Sequence, residues 1–253
     1  MQRKKRYIFK DKGFEHLFVL DDGDERSLRF TVADGESQST ISLSNPEAVP
    51  AEYIRVAMLG MLMTRRSERV LMVGLGGGSF TSLLRRHYPN LWIEVTEVDP
   101  AVVKVAKRFF GVEEDDRFRI HVADGARFVA ETGATYDLAF LDPYTGKEIP
   151  QDLTGSCFFD AVKARLSNSG VAVLNLWNRG PREGSIVDAF QSSFSHTASI
   201  RTENGHNLVV FGKVAEMPDP GELTAAAYRL TEKRGLSFDL GRISEKLILS
   251  VAR

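Results

Sequence analysis

Between residues 69 and 176 the chain alternates short apolar runs with amphipathic stretches, and this alternation is the strongest restriction on its fold. The runs Arg69–Val73, Trp92–Val98, Phe118–Val122, Leu138–Leu141 and Val171–Leu176 have the length and composition of strands. Thr81–His87, Ala101–Phe110, Ala126–Glu131 and Phe158–Arg165 lie between them with apolar residues at helical spacing, and Glu183–Ser193 follows. Each strand–helix–strand step needs a crossover. The sequence therefore predicts an α/β fold, a mostly parallel twisted sheet with helices on both faces. Thr197–Arg201 and Asn207–Phe211, around Glu203-Asn204-Gly205, add an antiparallel pair.

The flanks read differently. Tyr7–Phe9, His16–Leu20, Ser27–Val32 and Thr40–Leu43 are short strands separated by turns at 21–24 and 33–36. A few hairpins are marginal alone, so residues 1–45 are expected to be a small β-rich region resting on a main domain over 46–215. That domain opens with one mostly buried helix over Ala51–Thr64, where Met58, Met61 and Met63 read as packing residues. Residues 216–253 read as a helical tail, with a second short helix near Ile243–Val251.

Composition closes off several functions. Lys and Arg total 33 against 34 Asp and Glu, a net charge of −1, which argues against a nucleic-acid partner held by phosphate attraction. No apolar run approaches the roughly 20 residues of a membrane span. One cysteine, Cys157, excludes an internal disulfide and a Cys-rich zinc site. His16, His87, His121, His196 and His206 lack ligand spacing, so no metal is expected. The basic start has no apolar signal stretch, and a cytoplasmic location is expected. Cys157 beside Phe158-Phe159 reads as buried, and Trp177 as a core residue, with a place on the crevice wall as the alternative.

The chemistry concentrates at strand ends. Arg69–Val73 runs into Gly74-Leu75-Gly76-Gly77-Gly78-Ser79 and then a helix, where glycines let the backbone turn tightly and approach a ligand. A dinucleotide fingerprint would need glycine where Ser79 stands. About 20 residues on, Glu97 can accept both hydroxyls of a ribose, as NAD and S-adenosyl ligands alike require. Asp124 and Asp142 end the next two strands, and ligands bind along that edge of a parallel sheet. Sugar, base and reacting centre could be served in that order. Alternatively, each acid merely caps the helix that follows it.

Over about Ser37 to Phe211 the sequence resembles the polyamine aminopropyltransferases, the spermidine/spermine synthase family. The resemblance rests on Gln38-Ser39, Tyr53-Ile54-Arg55, Val73-Gly74-Leu75-Gly76-Gly77-Gly78-Ser79, Glu97-Val98-Asp99-Pro100, Asp124-Gly125, Tyr136-Asp137 leading to Asp142, Ile149-Pro150, Phe158-Phe159 and Asn175-Leu176-Trp177. It implies a Rossmann-like sheet of the S-adenosylmethionine-dependent methyltransferase type preceded by β-strands. It also implies transfer of an aminopropyl group from decarboxylated S-adenosylmethionine to an amine or polyamine, with no tightly bound cofactor, and a homodimer. Glu97 would hold the ribose, Asp124 and Gly125 the adenine, Gln38 the nucleoside, and Gly74, Gly76, Gly77 and Gly78 a backbone cradle. Asp142 would take the proton from the attacking amine, with Tyr53 and Tyr144 beside the acceptor.

The departures all remove negative charge. Typical members carry Asp where this chain has Gly77, a second Asp where it has Thr145, and Tyr-x-Glu where it has Tyr53-Ile54-Arg55. Glu148 and Asp152, or more distantly Glu15, could replace the lost acids. Two alternatives stay open. One is methyl transfer from intact S-adenosylmethionine, although Met72 stands where many methyltransferases place an acid. The other is a nucleoside-binding homologue without catalysis.

Overall fold

A computed structural model describes residues 6–10, 17–30, 37, 39–144, 149–177 and 182–250. Its N-terminal part is an antiparallel meander, β1 (Arg6–Lys10), β2 (Phe18–Asp22), β3 (Glu25–Arg29) and β4 (Ser39–Ser42), paired in that order. Gly23, at φ +66°, makes the tight turn from β2 to β3.

Two short helices follow, α1 (Glu52–Ala57) and α2 (Gly60–Met63), where the sequence predicts one helix over Ala51–Thr64. The break lies at Met58-Leu59, where the bonds tighten to the three-residue type: Leu59 N–H to Val56 at 3.0 Å and Met61 N–H to Met58 at 3.1 Å. Gly60 is pressed against the sheet here. A Cβ on it would lie 2.8 Å from Leu138 Cδ1 and 2.9 Å from Val173 Cγ2.

The alternating core follows: β5 (Arg69–Val73), α3 (Ser79–His87), β6 (Trp92–Glu97), α4 (Pro100–Phe109), β7 (Phe118–Val122), α5 (Gly125–Glu131), β8 (Tyr136–Leu141), α6 (Ser156–Ala164), β9 (Leu166–Trp177) and α7 (Glu183–Ser193). Next comes the hairpin β10 (His196–Arg201) and β11 (Asn207–Lys213), then α8 (Pro220–Arg234), α9 (Leu240–Ser244) and β12 (Ile248–Ser250). The large sheet has the order β12-β10-β11-β9-β8-β5-β6-β7; β9, β8, β5, β6 and β7 run parallel, and β11, β10 and β12 join by antiparallel pairs.

Strand periodicity sorts the core into two layers. Val70 and Met72 of β5 pack with Ile54, Phe80, Leu84 and Leu223 on one face. Leu71 and Val73 pack with Val129, Phe159, Val162 and Phe190 on the other. Each such side chain contributes about 1.5–3 kcal/mol when fully buried. The meander leans on a third cluster, Leu17, Val19 and Leu28 against Val102 and Val105 of α4 and Phe110.

Helix starts follow capping chemistry. Asp99 accepts from Ala101 N–H with Pro100 in the first turn, and Asp219 accepts from Gly221 and Glu222 N–H ahead of α8. The tail differs from the expectation of a helix over Ile243–Val251. Asp239 caps α9 earlier, and Ile248–Ser250 instead extends the sheet against β10. The otherwise open edge of β10 supplies the partner. Among the described residues no helix is long and apolar enough to cross a membrane, and no cluster of His, Cys, Asp or Glu is placed to hold a metal.

Candidate functional site

The C-terminal ends of β5, β6 and β8 meet in a cavity of about 540 Å³. Gly74 leaves β5 at φ +99°, with its N–H bonded to Thr96 at 2.9 Å, while Asp142 N–H bonds Val73 at 2.9 Å. The two turns touch: a Cβ on Gly74 would lie 2.3 Å from the Asp142 carbonyl oxygen. Glycine is therefore required for conformation and for space.

Glu97 reaches over the same turn. Its carboxylate accepts from Leu75 N–H and Asp99 N–H, each at 3.0 Å, while burial pushes its pKa up. Gly76 N–H adds to the donors around this carboxylate, which holds the Glu97 side chain over the glycine turn. Asp124 caps α5, accepting from Arg127 N–H at 2.8 Å, and also lines the cavity. The capping and site readings thus coexist at this residue. Gly125 is buried under the same wall, where a Cβ would meet Val73 Cγ1 at 2.5 Å.

Asp142 follows β8 on the same wall. Asn175 Nδ2 donates to its Oδ1 at 2.7 Å and the Tyr53 hydroxyl donates to the same carboxyl. Burial pushes its pKa up to about 6; those two donors hold it down and the Glu97 charge adds to the rise. Burial and the Asp142 charge drive the Tyr53 phenol well above its usual value, so it stays a donor. Burial also raises the Tyr144 phenol, whose oxygen accepts from Trp177 N–H; the two rings meet edge to face, centroids 6.5 Å apart.

Gly74, Gly76, Glu97, Asp124, Gly125, Asp142, Tyr53 and Tyr144 all line this one cavity. Gly77 and Gly78 do not. Gly77 N–H is taken by Ser39 Oγ at 2.8 Å, and a Cβ there would run into Ser39 and the Phe110 ring; Gly78, at φ +74°, turns the chain into α3 beneath Val112. From this turn, Gly74, Leu75, Gly76 and Ser79 line the cavity, and the buried Ser79 Oγ has no protein partner among the described residues. Gln38, Thr145, Glu148 and Glu15 lie outside the described residues. Asp152 sits exposed in a short 3-10 turn and is not among the residues lining the cavity.

Trp177 takes the second of its two readings and walls the cavity in place of packing in the core, and Cys157, expected to be buried, is exposed at the start of α6. Sequence reasoning missed Glu52, Asn175, Asn204, His206 and Asn207, all on the wall. Asn175 left a signal, being the lone polar residue in Val-Ala-Val-Leu-Asn-Leu of β9. The hairpin residues left none, because cross-strand register is not written locally. Five carboxylates (Glu25, Glu52, Glu97, Asp124 and Asp142) and no Lys or Arg line the described wall, an arrangement that favours a cationic ligand.

Known proteins are similar to this chain in sequence and fold. The family profile for the spermine/spermidine synthase domain matches residues 52–196. The polyamine aminopropyltransferase of Vibrio vulnificus (strain CMCP6) is 30% identical over 224 residues, covering 86% of this chain and 75% of that one. That of Chromobacterium violaceum is 32% identical over 231 residues, covering 90% and 88%. The crystal structure of human methyltransferase-like protein 13 in complex with SAH superposes with a TM-score of 0.64 at 27% identity, over 73% of this chain and 92% of that one. With a matched segment that takes in the glycine turn, Glu97, Asp124 and Asp142 alike, the chain belongs to the spermine/spermidine synthase family.

Proposed function

We propose that the protein is an aminopropyltransferase that moves an aminopropyl group from decarboxylated S-adenosylmethionine to a small amine or polyamine. The observation that carries the reading is Asp142, a carboxyl held by Asn175 and Tyr53 on the wall of an acid-lined cavity. The attacking amine must be neutral, and a primary amine, like Lys, has a pKa near about 10. Asp142 orients that amine and takes its proton as nitrogen bonds to the carbon beside the sulfonium; the carbon–sulfur electrons return to sulfur, leaving a neutral thioether. Glu97 receives the ribose, Asp124 and Gly125 flank the base, and the main chain at Gly74 to Gly76 with Ser79 cradles the donor. Tyr144 and Trp177 wall the acceptor's aliphatic part, and Glu52 faces its second cation.

One observation favours a second reading, methyl transfer from intact S-adenosylmethionine. Gly77 contributes no acid and its position is closed by Ser39 and Phe110, so nothing from the loop repels a donor that keeps its carboxylate. Turnover assays with each donor and a diamine decide between the readings. Aminopropyl transfer from the decarboxylated donor supports the first, and methyl transfer from the intact donor alone replaces it. Binding of methylthioadenosine with neither turnover makes the protein a nucleoside binder.

A further inference from the structure

We propose that Asn207 and Asn175 form an amide relay that orients Asp142 and keeps its carboxylate supplied with a hydrogen-bond donor. Asn207 is then a positioning residue on the antiparallel hairpin, acting through Asn175 rather than on substrate. The inference rests on Asp142 being the base.

The geometry is a chain of two directed bonds. Asn207 Nδ2 donates to Asn175 Oδ1 at 2.9 Å, and Asn175 Nδ2 donates to Asp142 Oδ1 at 2.7 Å. In the sheet, Asn175 of β9 pairs with Val209 and Trp177 with Asn207, so the two asparagines are diagonal neighbours on one face. The main chain of Asn207 is anchored, its backbone N–H bonding Thr202 Oγ1 at 2.9 Å. Asn175 is 3% exposed, so water cannot readily replace either partner.

An amide fits its space almost equally well turned end for end. Turned, Asn175 would point its carbonyl at the Asp142 carboxylate and its NH₂ at another NH₂. The donor on Asn207 selects the orientation that presents N–H groups to Asp142. The remaining ionisable groups facing that carboxyl are Tyr53 from α1, Glu97 from β6 and Tyr144 from its own loop, with His206 of the hairpin on the same cavity. Tyr53 is the one among them that hydrogen-bonds this carboxyl, and Asn175 supplies the second hydrogen bond to the ionised form.

The test is a double-mutant cycle with Asn207→Leu and Asn175→Leu, read as the acid limb of kcat/KM against pH. Each single variant is expected to move the limb up by about one pH unit, the size of losing a hydrogen bond to a charged carboxylate. That is about a threefold loss near neutral-acid pH which shrinks as the medium becomes alkaline. Asn207→Leu in the Asn175→Leu background is expected to move it no further. Independent, additive shifts overturn the relay, and an unmoved limb is decided by the direct titration below.

Carbon-13 NMR titration of the Asp142 carboxyl, assigned by its absence in Asp142→Asn, reads the same quantity without turnover. An unmoved titration in Asn207→Leu overturns the relay. A moved titration with an unmoved rate profile upholds the relay and removes Asp142 as the base. If Asn175→Leu does not fold, Asn175→Ser, which keeps a small donor, takes its place in the cycle.

Discussion

Asp142→Asn should abolish turnover and stabilise the fold. In the native protein the Asp142 carboxyl titrates at about 6, against about 3.9 in an unfolded chain. A carboxyl whose native pKa is raised binds more protons folded than unfolded. Its ionisation therefore costs stability as pH rises through the interval between those values, and the full cost is present above about 6. Two pKa units at 1.36 kcal/mol each give about 3 kcal/mol at neutral pH. Asparagine has nearly the same shape and carries no charge beside Glu97; its carbonyl oxygen can accept from Asn175, and its NH₂ can donate to the Tyr53 hydroxyl oxygen. The variant should thus unfold about 3 kcal/mol later at neutral pH, a rise in Tm of roughly 6–12 °C for a chain of this length. At about pH 4 the native acid is already protonated, and the gain should fall below about 1 kcal/mol. Paired urea and thermal melts at both pH values measure this, and methylthioadenosine calorimetry should show retained affinity. No stabilisation at neutral pH, or an equal gain in acid, would refute the assignment of a destabilised, enclosed carboxylate at this position.

Wild-type kcat/KM should rise with pH through about 6 as Asp142 loses its proton, and the kcat limb should lie lower, because a bound sulfonium favours the anion; initial rates across pH check both. Glu97→Gln should weaken methylthioadenosine about tenfold, the loss of a charged acceptor, and should shift the acid limb down by removing the charge that raises Asp142; calorimetry and the rate profile read these separately. Gly74→Ala should destabilise the fold by about 2–5 kcal/mol, combining a positive φ with a Cβ driven into the Asp142 carbonyl, and should cost turnover by displacing that acid; urea midpoints and rates test it.

Features set by neighbouring residues were legible in the sequence. The apolar run of β5, the glycine turn and the acids ending β6 and β8 each declare themselves within a few residues, and parallel topology then forces them to one edge. The capping role of Asp124 was equally local. What failed to show depended on distant partners. Cys157 and Phe158 are adjacent, yet only packing against α7 decides which of them is buried. Residues 248–250 read as helix because the vacant edge of β10, some fifty residues away in sequence, made them a strand. Gly77 belongs to a motif that promises a ligand, but Ser39 from another sheet claims its N–H first. The relay from Asn207 to Asp142 crosses three strands and has no linear signature.

The wall of the cavity is shared between two sheets that have no ladder in common: Glu25, Phe30, Ser37, Ser39 and Thr40 come from the meander or its connections, and the remainder from the parallel core and the elements around it. A molecule seated there works as a clasp. It binds only the docked arrangement, so each increment of its affinity is also an increment in the free energy joining the two layers. The first forty or so residues thereby acquire a thermodynamic stake in ligand recognition, and their docking becomes a quantity that occupancy of the cavity tunes.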